Sequence, residues 1–233
     1  MAKSTNIERV TPDDLIGSLN DIEKKFAPLY LFLRGNPNIV NQGPRVSIIG
    51  TRKPSKKGID NALILTKSLV KKGVVIVSGL AEGIDTVAHR TAIESGGKTI
   101  AVLGTPLDKY YPLNNRQLQN EIMENHLAIS QFPLGSPIMR KNFPLRNRTM
   151  ALLSHVSIII EAGERSGTQH QGWEALRLGR RLFILEDIIQ NNKLKWPQEM
   201  IKYGAEILQI KNTHPVFEAL PICEQEVEAN VTF

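Results

Sequence analysis

The residues best suited to chemistry in this chain lie in three short glycine-bearing turns: Gly50-Thr51-Arg52-Lys53, Ser78-Gly79-Leu80-Ala81-Glu82-Gly83 and Gly163-Glu164-Arg165-Ser166-Gly167-Thr168. Each has the composition of an anion site. Glycine lets backbone N–H groups approach a phosphate, hydroxyls add donors, and a helix starting just after the turn adds partial positive charge. Gly50, Thr51, Ser78, Gly79, Gly83, Ser166, Gly167 and Thr168 are therefore the candidate phosphate-loop residues. None of the turns is followed by Gly-Lys-Ser/Thr at Walker A spacing, and none is G-x-G-x-x-G. An ATPase of the P-loop kind and an ordinary nicotinamide enzyme are thus disfavoured.

A fourth segment, residues 140–148, places four cations, Arg140, Lys141, Arg146 and Arg148, around Phe143 and two asparagines. Guanidinium forks grip phosphate oxygens in pairs, and an aromatic ring offers a face to an unpaired base. Arg52, Lys53, Lys141, Phe143, Arg146 and Arg148 are the candidate contacts to a nucleic-acid strand. A single strand suits them better than a duplex, whose bases are already stacked.

Catalytic and metal chemistry are poorly supported. The five histidines, at 89, 126, 155, 170 and 214, are dispersed without zinc-site spacing. No G-x-S-x-G elbow is present. Asp85 and Glu161 fall near expected strand ends; Asp85 is read as a loop organiser accepting backbone hydrogen bonds. No catalytic residue, cofactor or metal is expected.

The elements that must position these turns follow from periodicity. Short β-rich runs at 45–49, 74–77, 99–103, 128–131 and 156–160 alternate with amphipathic stretches, the pattern of a parallel sheet with helices on both faces. The expected fold is an extended, Rossmann-like, doubly wound α/β domain over residues 45–210. A small helical lead-in spans 1–44 and an acidic, mobile tail spans 211–233. Ser55 is the expected cap of the first long helix, with Ile59, Leu63, Thr66 and Val70 as its inner face. Residues 182–185 and 206–210 read as late strands, and Trp173 and Leu176 as core.

Charge supports an anionic partner. The net charge is +6, but between residues 45 and 72 eight lysines and arginines face one acid, Asp60. Between 140 and 181 eight face three acids, while the last twenty residues hold four glutamates and no cation. The only cysteine is Cys223, so no internal disulfide can form. The N-terminus has no apolar signal core and no run reaches membrane-spanning length, so a soluble, cytoplasmic protein is expected.

In their order, these pieces resemble the DNA-processing protein A (DprA/Smf) family. The stretches that carry the resemblance are VSIIGTR (46–52), VSGLAEGIDTVAH (77–89), GGKTIAVL (96–103), Tyr111-Pro112 with Asn115, NFPLRNR (142–148) and EAGERSG (161–167), with PLYLFLRG (28–35) before them. The resemblance implies a Rossmann-like domain that binds single-stranded DNA in a basic pocket, works as a homodimer and serves a RecA-type recombinase during DNA-mediated transformation and recombination. By motif position it implies strand contacts at Arg52, Lys141, Phe143, Arg146 and Arg148. Residues 156–160 and the late strands are the expected dimer neighbours. The chain departs from the family pattern after Ser166-Gly167, where Thr168-Gln169-His170-Gln171-Gly172-Trp173 replaces an Ala-rich helix. It departs again at Glu186-Asp187, where the family has Pro-Gly. A shortened N-terminal region and no winged-helix module are expected.

A second reading is a small-nucleotide enzyme or sensor related to nucleoside-monophosphate phosphoribohydrolases. Gly163…Ser166-Gly167-Thr168 followed by Glu174 loosely echoes their Gly-Gly-x-Gly-Thr turn, with Glu161, His170 and Glu174 as the residues of interest. A third is a partner protein whose basic loops bind acidic protein surfaces.

Overall fold

The computed structural model describes residues 7–164 and 166–221. Arg165, in the third turn, and Cys223, with the acidic stretch around it, lie outside the described residues.

The chain runs β1 (Glu8–Val10), α1 (Pro12–Ile16), α2 (Asp21–Phe26), β2 (Leu31–Gly35), β3 (Arg45–Gly50), α3 (Lys56–Lys71), β4 (Val75–Ser78), α4 (Ile84–Glu94) and β5 (Thr99–Leu103). It continues α5 (Arg116–Asn125), β6 (Leu127–Ser130), α6 (Asn142–Leu153), β7 (Val156–Glu161), α7 (Gly167–Arg177), β8 (Arg181–Leu185), α8 (Glu186–Ile189), α9 (Trp196–Lys202), β9 (Glu206–Leu208) and α10 (His214–Glu218). The described strands form one sheet in the order β1-β2-β6-β5-β4-β3-β7-β8-β9. From β6 to β9 every pairing is parallel.

Strands buried on both faces need apolar residues at nearly every position, and β3 and β7 show how they are used. Val46, Ile48, Val156, Ile158 and Phe183 join one core with Ala62, Leu65 and Leu69 of α3 and Ala88 and Ala92 of α4. Ile49, Ile159 and Ile184 point the other way, into a core shared with Met150 and Leu153 of α6 and Trp196 and Met200 of α9. Trp173 and Leu176, read as core, pack against this second cluster. Ser55 caps α3 as expected, its hydroxyl accepting from Gly58 N–H at 3.0 Å. The inner face of α3 is turned from the expected one: Gly58, Asn61, Ala62, Leu65, Thr66 and Leu69 are buried, while Ile59, Leu63 and Val70 flank them. Helix α3 packs against both the sheet and its neighbour α4, which takes a broad buried stripe, and glycine at 58 leaves room for the Glu161 carboxylate.

The lead-in is not purely helical. Helices α1 and α2 form, each closed by a capping box, at Thr11 with Asp14 and at Asn20 with Glu23. Yet β2 pairs antiparallel with β6, and β1 with β2, so the sheet continues past the expected boundary at residue 44. Leu31 and Leu33 are buried in the main core. At the other end α10 buries Val216, so residues 211–221 belong to the folded body. The expected dimer neighbour at 156–160 is also corrected. That segment is β7, hydrogen-bonded on both sides by β3 and β8 and buried on both faces, with no surface to offer a second copy. Among the described residues no helix is long and apolar enough to cross a membrane.

From β3 the chain proceeds outward to β4, β5 and β6 on one side, then returns to β7, β8 and β9 on the other. The order therefore reverses between β3 and β7. At such a switch point the loops leaving the carboxyl ends of adjacent strands diverge and open a crevice. The first and third glycine turns leave from those two ends.

Candidate anion-binding cleft

A cleft of about 520 Å³ occupies this crevice, lined by Gly50–Lys53, Ala81, Asp85, Phe143, Arg146, Gly163 and Ser166–Thr168, among others. All three turns thus meet at one place. The first is anchored across the switch point. Thr51 N–H donates to Glu161 O at 2.7 Å, with a register shift between Ile49 and Gly50 where β3 leaves β7. Ser55 N–H and hydroxyl donate to the Glu161 carboxylate at 3.1 and 2.9 Å. Glu161 therefore holds the turn. Arg52 and Lys53 are left exposed, with no ion-pair partner among the described residues.

The second turn is organised by Asp85, which accepts from Gly79 N–H at 3.2 Å and Ala81 N–H at 3.3 Å, the role expected of it. Burial pushes the Asp85 carboxyl above its ordinary range, opposed by the charge of Arg146 and by these hydrogen bonds. Ser78 hydroxyl donates to Ile48 O at 2.7 Å and does not reach the cleft. Leu80 has φ 55, a left-handed conformation costly for a branched side chain. Asn115 holds it there, its amide donating to Leu80 O at 3.0 Å, Ala81 O at 3.3 Å and Thr86 Oγ1 at 2.8 Å. Gly83 begins α4.

The third turn leads into α7. Ser166 is its N-cap, accepting from Thr168 N–H at 3.2 Å. No hydrogen bond engages Gly167 N–H among the described residues, and this donor and the positive end of the helix dipole border the cleft.

Helix α6 supplies the floor, and here the sequence-based expectations separate. Phe143 is half-buried, its ring 5.3 Å from that of Tyr111 and 5.9 Å from the Arg52 guanidinium carbon. A Cβ on Gly104 would lie 2.6 Å from Phe143 Cδ1, so glycine there lets the ring sit flat on the loop. Arg146, expected as a free fork, is only 6% exposed. Its Nη1 donates to the carbonyls of Gly79 and of Val102 (2.8 Å to the latter), and Nε donates to Asn147 Oδ1 at 3.0 Å. It brings a buried positive charge to the cleft floor and ties α6 to β4 and β5. Burial lowers its proton affinity while Asp85 raises it. Arg148 is not in the cleft. It pairs with Glu174 at 3.1 Å and lies over the Phe26 ring at 5.1 Å, because positions two apart on an α-helix, at about 100° per residue, point to nearly opposite sides. Lys141 is exposed at the start of α6 and does not line the cleft.

Of the residues named for a nucleotide enzyme, His170 lines the cleft, Glu161 is committed to Ser55, and Glu174 is paired with Arg148 and Arg177. Tyr111, Leu80 and Asn147 are site residues to which the sequence reading gives no role of their own, although each falls within a stretch it quotes. Asn147 bridges Arg146 to Gly167 O at 3.2 Å. Its place inside the 142–148 motif was the one available signal. No group of three or more histidine, cysteine or acidic residues suited to a metal occurs among the described residues.

Fold and cleft together define a Rossmann-like α/β protein with a cationic, glycine-walled crevice at its switch point. The family model for DNA recombination-mediator protein A matches residues 13–221, and the chain belongs to that family. It is 34% identical over 194 residues to the DNA processing protein DprA of Bacillus subtilis, covering 83% of this chain and 65% of that protein. It is 38% identical over 182 residues to the DprA of Streptococcus pneumoniae, covering 78% and 64% respectively. The chain thus spans just under two thirds of these curated relatives. The solved structure of DNA processing protein A from Helicobacter pylori, described for its single-stranded DNA binding mode, superposes with a TM-score of 0.76 at 27% identity, covering 92% of this chain and 98% of that one.

Proposed function

We propose that this chain binds single-stranded DNA across the switch-point cleft, as a DNA-processing protein rather than a nucleotide-hydrolysing enzyme. The observation that carries the reading is the meeting in one cleft of Arg52 and Lys53, exposed cations without an ion-pair partner among the described residues, the half-buried Phe143 ring and the α7 N-terminus. Phosphates are attracted by the cations and the helix end, and an unstacked base finds an aromatic face beside them. Family membership and the single-strand binding described for the Helicobacter pylori relative support the same reading. Two further parts follow from the family rather than from the cleft: self-association as a homodimer, and service to a RecA-type recombinase in transformation or recombination. A cytoplasmic location goes with them.

The test is fluorescence anisotropy with a labelled single strand and its duplex, over a range of salt concentrations, for the wild-type protein and Arg52→Ala. The single strand is expected to bind more tightly than the duplex. Losing one phosphate contact is expected to flatten the log–log salt slope by about 0.7 and weaken binding at least about tenfold. Equal affinity for duplex and single strand, or an Arg52→Ala protein with unchanged affinity and slope, refutes the proposal.

A further inference from the structure

The switch-point cleft takes only Arg52 and Lys53 from the cations between residues 46 and 72. Two others, Lys67 and Lys71, meet Lys98 at a second cleft of about 410 Å³. Its walls are the carboxyl-terminal half of α3, the loop from Ser95 to Lys98 after α4, and the amino end of β4. Strands β3, β4 and β5 are parallel, so this cleft lies at the opposite edge of the sheet from the switch-point loops. Strand length puts the two on the order of 15 Å apart, and they share no residue.

No acidic residue lines this cleft among the described residues. Lys67, Lys71 and Lys98 are exposed, and none has an ion-pair partner among the described residues. Glu94, beside Ser95, is exposed and pairs with none of them. Lys71 complements the carboxyl end of α3 as a last-turn cation. Lys67, a turn earlier, and Lys98, on another loop, have no such task. Three like charges around one hollow repel one another, and an anion among them relieves that repulsion.

The kind of anion follows from what the cleft withholds. Phosphate sites in α/β folds draw on backbone N–H groups at helix N-termini. Here α3 and α4 both arrive by their carboxyl ends. The N–H groups of Gly73, Val74, Gly96 and Gly97 are spent on carbonyls of those helices, at 2.8–3.1 Å. No lining residue is an arginine with a phosphate fork or an aromatic with a stacking face, so a nucleic-acid strand is disfavoured. What is left is a set of ammonium groups on flexible stems, each a point charge suited to one carboxylate. Lys67 and Lys71 lie four apart on one helix face, with Cβ atoms about 5–6 Å apart. Alternate side chains of an extended chain lie roughly 6.7 Å apart, a close match. Val70, half-buried between them, offers such a chain an apolar footing.

We propose that this cleft docks an acidic segment of a partner protein, lying extended with carboxylates at alternate positions paired to Lys67, Lys71 and Lys98. The docking does not depend on the single-strand reading of the switch-point cleft, and the two clefts are far enough apart to be filled together.

The experiment is fluorescence anisotropy of the full chain with a labelled peptide in which glutamates alternate with serines, with its glutamine counterpart, and with a labelled single strand. Wild type, Arg52→Ala and the triple variant Lys67→Gln, Lys71→Gln, Lys98→Gln are compared. All three lysines are exposed, so the triple variant keeps its fold. Wild type is expected to bind the glutamate peptide in preference to the glutamine one, more weakly as salt rises. The triple variant is expected to bind it at least about tenfold more weakly, the joint effect of three exposed ion pairs. At physiological salt, with a Debye length of about 8 Å, its single-strand affinity is expected to stay within about twofold of wild type. Arg52→Ala is expected to leave peptide affinity within about twofold. Failure of wild type to prefer the glutamate peptide overturns the inference, as does a triple variant that binds it unchanged. Equal loss of peptide affinity in Arg52→Ala assigns the peptide to the switch-point cleft and overturns it as well. A triple variant that loses single-strand affinity as much as peptide affinity makes the lysines part of a nucleic-acid path, which overturns the docking and leaves the DNA reading standing.

Discussion

Replacing Gly79 by alanine tests the mechanical centre of the site. A Cβ at this position would overlap Nη1 and Cζ of Arg146 and lie 2.8 Å from Nη2, so the guanidinium cannot stay where it is. Arg146 is buried and bonded to the Gly79 and Val102 carbonyls, leaving little room for retreat. Overpacking costs about 1–3 kcal/mol and loss of charge-assisted hydrogen bonds about 1.5–3 kcal/mol more, so Gly79→Ala is expected to destabilise by about 3–5 kcal/mol. Arg146→Met strands the same carbonyls but removes the obstacle, so adding Gly79→Ala to it is expected to cost only about 1 kcal/mol. Urea unfolding of wild type, both single variants and the double variant closes the cycle. The expected coupling is about 2 kcal/mol or more, the double variant being more stable than the sum of the singles implies. Additivity within about 0.5 kcal/mol refutes the claim that Gly79 exists to admit Arg146.

Other expectations follow from the same geometry. Phe143→Leu keeps the volume of the floor but removes the stacking face, and single-strand affinity is expected to fall at least about fivefold in an anisotropy titration. Arg148→Ala, outside the cleft, is expected to leave the salt slope of DNA binding unchanged; it loses its ion pair with Glu174 and its place over Phe26, lowering stability by about 1 kcal/mol in thermal melts. A slope change as large as that of Arg52→Ala would place Arg148 on the strand after all. His89 is fully buried, with Nδ1 2.7 Å from Thr99 Oγ1, and burial holds its pKa at about 3 instead of 6.5. The unfolded chain therefore takes up this proton first, and stability present above pH 6.5 drains away as pH falls toward 3, by about 2 kcal/mol at pH 5. Melts of wild type and His89→Gln at pH 7 and 5 check this: the variant should lose less on acidification, and an equal loss refutes it.

Much of this protein is decided locally. The alternation of β-rich runs with amphipathic stretches specifies a parallel, doubly wound sheet, because strands covered on both faces must be apolar throughout and the helices covering them must be two-faced. The turns at 50–53, 78–83 and 163–168 were legible as strand-to-helix loops bearing glycine and hydroxyls, since those are local features. So was Asp85, which bonds within its own turn. What local pattern could not decide was direction. Arg146 and Arg148 are two residues apart and chemically identical, yet one is spent on carbonyls beneath the cleft and the other on Glu174 and Phe26 beyond it. Their fates depend on partners distant in sequence. The capture of β1 and β2 by the edge of the sheet depends likewise on pairing with β6. Tyr111 beside Phe143, Glu161 holding Ser55, and the Asp187–Asn61 contact exist only because strand order brings separated loops to one switch point. Residue types and spacings determined which loops carry glycines, hydroxyls and cations; tertiary packing decided which of those cations stay exposed at the cleft.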